Sequence, residues 1–455
     1  GAYGDQDNGT DSGSAYIFNV VNGTELHKLT AGDAAMNDYF GYSVAISGNY
    51  AIVGSSNDDD DATNSGSAYI FNVTTGTQLH KLTASDAAAQ DHFGRSVAIS
   101  GNYAIVGTGY TDNNGIDSGN AYIFNVQNGV QLHKLVASDA AASDKFGDNV
   151  AISGNYAIVG ALENDDKGEL SGSAYIYNVQ TGTQLYKLIP SDGAAGDQFG
   201  SSVAMTGNYA IVGARMNDDN GSNSGSAYIY NVQTGALLHH LLASDGVGDD
   251  QFGWSVAISD NYAIVGARLD DDRGLSSGSA YIYGPSSATP SLLKITNDSP
   301  TLIVNGTVVS DAITTDAIVS KSNILDNLSV GKEFSFSKET KILALGGATW
   351  GYYGQSVAIS GNYAIVGEWG DTDNGSYSGS VHIYNVQTGA QLHKLVPSDG
   401  AAGDIFGWSV AMSGNYAIVG AYYDDDKGTD SGSAYIFNVQ TGAQLHKLVP
   451  SDGAA

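Results

Sequence analysis

A chain of 455 residues is long enough for a large core, and its 60 glycines and 28 tyrosines against only 6 prolines describe tight turns joined by aromatic and β-branched segments, the composition of an all-β fold. A formal charge of -30 excludes nucleic acid and anionic membrane as partners, because neither polyanion tolerates the approach, and makes cations the natural counterpart. The absence of cysteine excludes disulfides and thiolate metal sites, and no apolar run is long enough to insert directly into a bilayer.

In chain order, Gly1 aligns with the Gly of the later Val-Gly-Ala steps, so the first elements predicted are the third and fourth strands of a repeat. Complete units follow, marked by an aromatic-Gly pair at Phe40, Phe93, Phe146, Phe199 and Phe252, each 53 residues after the last. The spacing stretches to 101 residues at Tyr353 and returns to 53 at Phe406, which places an insertion of 48 residues in one unit. Within the unit that begins at Phe146, the pattern predicts strands at Val150 to Ser153, Tyr156 to Gly160, Ala174 to Val179 and Gln184 to Ile189. Gly154-Asn155 and Gln180-Thr181-Gly182 supply two of the turns, and an Asp- and Gly-rich loop the third.

Four short antiparallel strands recurring at this period make the blade of a β-propeller. The predicted organisation is propeller repeats over 1–284, an insertion over 285–337 between the third and fourth strands of one blade, and repeats again over 338–455. Seven four-stranded blades are expected, with eight as the alternative. The leftover amino-terminal hairpin either completes an eighth blade whose inner strands lie beyond Ala455 or lies outside a closed ring of seven. Neither end decays from the repeat consensus, so a longer native chain is expected.

The strings Phe-Gly-x-Ser-Val-Ala-Ile-Ser, Tyr-Ala-Ile-Val-Gly-Ala and Ser-Gly-Ser-Ala-Tyr-Ile resemble the FG-GAP repeat of integrin α-chain propellers. The nearer likeness is to the variant common in bacterial and other surface proteins, where Lys-Leu-x-Ala-Ser-Asp-x-Ala-Ala-x-Asp precedes the Phe-Gly. The resemblance implies a non-enzymatic propeller, extracellular or surface-exposed, that works in adhesion. In the integrin type a calcium loop joins the first two strands; only Gly-Asn stands at that point here, so that site does not carry over.

Between the second and third strands every unit carries a short acidic loop of the form Asp-x-Asp-x-Gly, in places followed by another acid. Alternate carboxylates around a sharp glycine turn are one way to supply the six to eight oxygens that calcium takes. The candidate ligands are Asp5, Asp7, Asp11, Asp58, Asp60, Asp270, Asp272, Asp371, Asp373, Asp424, Asp426 and Asp430. Ordinary turns use the same residues, so calcium and plain turn chemistry both stay open. A second acidic series, Asp33 with Asp38, Asp86 with Asp91, Asp139 with Asp144, Asp192 with Asp197, Asp245 with Asp250 and Asp399 with Asp404, precedes the next first strand. In an up-and-down blade both series emerge on one edge, where crowded carboxylates favour divalent cations.

Histidines 27, 80, 133, 239, 393 and 446 share one register of the fourth strand, followed by Lys28, Lys81, Lys134, His240, Lys394 and Lys447; one per blade on the outermost strand, they are expected on the rim in a structural role. No Ser-His-Asp setting stands out. Sequons at Asn8, Asn22, Asn72, Asn220, Asn297, Asn305, Asn327 and Asn374 suit a glycosylated surface protein. The insertion, with Asn305-Gly306 as a hairpin turn, suits attachment or assembly. The expected partner is protein or glycan on another surface, or copies of this chain through 285–337. Two rival functions stand beside adhesion: a structural subunit of an extracellular filament or virus particle, and a polysaccharide hydrolase or lyase on a propeller scaffold.

Overall fold

Strands form where β-branched and aromatic residues run between turn residues. In the third complete repeat they are Val150–Ser153, Tyr156–Ala161, Ser173–Asn178 and Gln184–Leu188, within a residue of expectation at each end, paired antiparallel in chain order. The structure, a computed structural model, describes residues 1–259, 261–285, 303–304, 307–308, 336–344, 347, 349–426, 428 and 431–450. Seven four-stranded sheets of this kind succeed one another, giving an all-β, seven-bladed propeller; they are numbered here as blades 1 to 7 from Phe40. Blade 5 is built from Phe252–Ser259, Tyr262–Ala267, Ser279–Gly284 and Lys338–Ile342, so its chain leaves after the third strand and returns as the fourth. Inside that excursion Ile303–Val304 pairs antiparallel with Thr307–Val308; Asn305 and Gly306, the expected turn, lie outside the described residues.

Away from the junction between blade 7 and the amino-terminal hairpin, the second and third strands are sandwiched between their neighbours in the sheet and between adjacent blades, which is why Tyr-Ala-Ile-Val-Gly-Ala is apolar on both faces rather than alternating. The Phe of each Phe-Gly pair is fully buried and meets two third-strand aromatic rings edge-on, as Phe199 does Tyr228 at 5.3 Å and Tyr230 at 6.2 Å. The Gly that follows has positive φ, 95° at Gly200, and a Cβ there would lie 2.5 Å from the carbonyl oxygen of Ser173. Only glycine lets the chain bend into the first strand so close to the preceding blade.

The amino-terminal hairpin, Ala15–Phe18 with Glu25–Leu29, sits within the ring. Along the outer rim the fourth-strand histidine of one blade bonds a carbonyl of the next: His80 Nε2 to Gln127 O at 3.1 Å, His133 to Gln180 O at 2.9 Å, His393 to Gln440 O at 3.0 Å. The hairpin's His27 reaches Thr74 O of blade 1 at 3.0 Å, and His446 of blade 7 reaches Val21 O of the hairpin at 3.0 Å. The hairpin therefore stands between blades 7 and 1, and the structural role expected of these histidines is to tie blade to blade.

Candidate functional site: lysine cradles and the axial mouth

In blades 1, 3, 5 and 7 both acidic series converge on the lysine of the fourth strand. In blade 1, Lys81 Nζ lies 2.7 Å from Asp33 and 3.1 Å from Asp58 and also pairs with Asp60, while the Tyr69 hydroxyl donates to Asp58 at 2.6 Å and Asp33 at 2.9 Å. Blade 5 repeats the cradle with Lys341 at 2.7, 2.9 and 2.5 Å from Asp245, Asp270 and Asp272. In blade 7, Lys447 holds Asp399 at 2.7 Å and Asp424 at 3.0 Å and pairs with Asp426. In the hairpin Lys28 holds Asp5 at 3.1 Å and pairs with Asp7. In blade 6 Lys394 holds Asp371 at 2.6 Å and Asp373 at 2.7 Å.

Each ammonium offsets one charge of the two or three carboxylates gathered around it, so every cradle keeps a net negative charge. Burial pushes Asp5, Asp371 and Asp424 up, yet lysine, backbone N–H and hydroxyl donors together hold all three below the ordinary carboxylate value. Lys81, Lys341 and Lys447 are raised despite their burial, because carboxylates surround them.

Of the twelve residues singled out as calcium ligands, ten lie in these cradles. Asp11 is instead a left-handed turn residue, φ 53°, whose carbonyl accepts from the Tyr39 N–H. Asp430 lies outside the described residues. Where calcium would need six to eight free oxygens, the protein's own ammonium occupies the centre. The donor set suits that internal cation, and calcium has to displace it. Sequence reasoning missed this role of the lysines, although their fixed register one residue after the histidines carried the signal.

The second aspartate of each pair does different work. Asp38, Asp91 and Asp250 are buried and accept through Oδ2 from the N–H three residues earlier, at 2.6, 2.8 and 2.8 Å. Burial, reinforced by neighbouring carboxylates, pushes Asp38 and Asp91 up to about 6 and Asp250 to about 7.

Blade 6 departs from the pattern inside its core. Tyr353, Glu368 and His382 replace the usual Phe, small residue and Tyr, and the fully buried Glu368 and His382 bond each other at 2.8 Å.

On the same edge, at its axial end, lie the residues just after each Phe-Gly and each Val-Gly-Ala step. There the otherwise uniform repeats differ most. Tyr352 stacks on Trp369 at 4.4 Å and 4°; Trp369 meets Trp408 at 5.6 Å, and Trp408 meets Tyr422 at 6.2 Å. Tyr422 bonds Tyr3 hydroxyl to hydroxyl, and Tyr3 lies 5.8 Å from Tyr42. Arg95 covers Tyr42 at 5.7 Å and Tyr110 at 5.3 Å, and across the ring Arg268 and Arg215 cover Trp254 at 3.2 and 4.7 Å. Trp350, 6.2 Å from Tyr352, completes the belt.

All four tryptophans of the chain and three of its four arginines thus gather at one mouth. Trp350, Trp408 and Tyr422 remain about two-fifths exposed. Sequence reasoning missed this belt too; the signal lay in the variable positions 42, 95, 148, 201, 254, 355 and 408 of an otherwise repeated string.

A family model described as FG-GAP repeat matches residues 24–71, 77–124, 130–177, 183–230, 237–283, 336–384 and 390–437. No curated protein matches the chain. Among solved structures, the crystal structure of the computationally designed Ika8 protein is similar at 13% identity and a TM-score of 0.52, over 95% of this chain and 92% of that one; the likeness is one of fold.

Proposed function

This chain belongs to the FG-GAP repeat family, and from that premise we propose that it is a non-enzymatic, extracellular or surface-exposed interaction propeller whose axial mouth binds glycan on another surface. The observation that carries the reading is the concentration of Trp, Tyr and Arg at that mouth. Repeats that are nearly identical in their cores have no architectural need for it, and these are the residue types that dominate binding hot spots. Exposed aromatic faces stack on the apolar faces of pyranose rings, while Arg95 and its partner Asp148, 2.9 Å away, offer a donor and an acceptor for hydroxyl groups. The lysine cradles supply an internal cation to the acidic edge, and calcium enters this reading as a competitor for the lysine positions.

The test is a glycan array followed by titration of the best ligand, read by tryptophan fluorescence. Trp369→Ala with Trp408→Ala should weaken binding at least tenfold, and EDTA should leave it unchanged. Binding that survives the double substitution removes the mouth from the proposal, and turnover of the bound glycan overturns its non-enzymatic part.

A further inference from the structure

Blade 4 is where the cradle changes its chemistry. At the position that holds lysine in the hairpin and in the six other blades stands His240, whose Nδ1 lies 3.1 Å from Asp192 Oδ2 and whose Nε2 lies 3.3 Å from Asp219 Oδ2. Asp192, Asp219 and His240 each offer one donor atom, and these three atoms all lie within 4.8 Å of one another. Their side chains are a quarter to a third exposed, open to an ion from solvent.

A second observation comes from beneath the imidazole. Tyr228 stacks flat on His240, centroids 4.4 Å apart at 5°, and is fully buried, but its hydroxyl has no hydrogen-bond partner. The corresponding hydroxyl elsewhere always finds a cradle carboxylate: Tyr16 donates to Asp5 at 2.9 Å, Tyr122 to Asp86 at 2.9 Å, Tyr175 to Asp139 at 3.0 Å, and Tyr69, Tyr281 and Tyr435 to two each. In blade 4 the hydroxyl aims into the same cradle and is left over, while a permanent ammonium has been exchanged for a group that is neutral when unprotonated.

We propose that Asp192, Asp219 and His240 form a binding site for one divalent transition-metal ion of the zinc type. Two carboxylate oxygens and one imidazole nitrogen are a donor set such ions accept, with remaining positions taken by water. A 2+ ion restores the positive charge that lysine supplies in the other cradles. His240 gives the ion one ring nitrogen, and Ser226 Oγ, 3.3 Å from Nε2, helps to orient the imidazole.

The repeats provide their own control. His240→Lys installs the residue found at the same place in every other cradle, so the variant should fold and carry a fixed cation where the ion would sit. Untagged full chain is titrated with zinc by calorimetry and with cobalt by visible absorption, beside His240→Lys and His239→Ala. The expected result is one ion per chain for the wild type and for His239→Ala, weakened at least tenfold in His240→Lys, with calcium failing to displace it. Binding of equal strength in His240→Lys, or no binding by the wild type at millimolar metal, overturns the proposal.

Discussion

Ile211 in blade 4 and Ile418 in blade 7 occupy the same place in the same string, Tyr-Ala-Ile-Val-Gly-Ala, yet Ile211 is completely buried and Ile418 is 42% exposed. The difference lies in what comes next around the ring. Ile211 is covered by the inner strands of blade 5, whereas the neighbour of blade 7 is the hairpin, in which only the third and fourth strands form. The facing wall tells the same story: Val44 and Ile46 on the first strand of blade 1 are 51% and 62% exposed, while their counterparts Val97 and Ile99 pack against blade 1. The outer rim, by contrast, is continuous through this seam. Burial in a ring of repeats is thus a property of the junction between units, not of the unit.

The largest effect that can sharpen this comparison is a pair of matched truncations. Ile211→Ala should cost about 2–5 kcal/mol in urea unfolding, and Ile418→Ala well under about 1, because the second removes a side chain already in water. Equal costs would mean that the seam is closed in solution. Next in size is the rim. His133→Ala and His446→Ala each remove one imidazole-carbonyl bond and should each cost about 0.5–1.5 kcal/mol, equal at a regular junction and at the seam. A much larger loss for His446→Ala would show that the hairpin depends on this bond to stay seated.

The smallest effect is on pH, and it tests whether the acidic edge is as regular at the seam as elsewhere. Asp38 beside the seam, and Asp91 and Asp250 away from it, titrate above the ordinary carboxylate value when folded, so their contribution is present at low pH and is lost as pH rises through about 6 to 7. Asp5, Asp371 and Asp424 are held below it, so theirs is present above the ordinary carboxylate value and is lost on further acidification. The melting temperature should therefore peak near the ordinary carboxylate value, about pH 4, and fall from there until about pH 7. Asp250→Asn should flatten the falling limb most, and Asp38→Asn beside the seam should flatten it less, to the same degree as Asp91→Asn away from it.

These contrasts show what the string of residues could and could not tell. Strands and turns were legible because alternation, Gly-Asn and Thr-Gly act locally; Tyr156–Ala161 and Gln184–Leu188 follow from their own residues. The long excursion in blade 5 was legible as a break in spacing. The role of Lys81 was not, since Asp33, Asp58 and Asp60 meet it from 48, 23 and 21 residues away, and only the blade's geometry brings them together. The aromatic mouth was hidden for the same reason: Trp369 and Trp408 look unrelated until the ring places the ends of their strands side by side. His240 stood in the register of the lysines without a role of its own, because those lysines are recognisable as counter-ions only once the blade brings the aspartates to them.

The rim bond has a consequence for how such a chain changes over generations. His27 to Thr74, His80 to Gln127, His133 to Gln180 and His393 to Gln440 each join residues 47 positions apart. Unequal exchange between near-identical copies of the coding repeat adds or deletes 53 residues at a time, and every new junction regenerates the same bond from the same register. Blade number can therefore drift by whole units without redesign of an interface, the curvature of the ring setting the bound. The residues that cannot be so replaced are those that break the repetition, the tryptophans of the mouth and the histidine of blade 4.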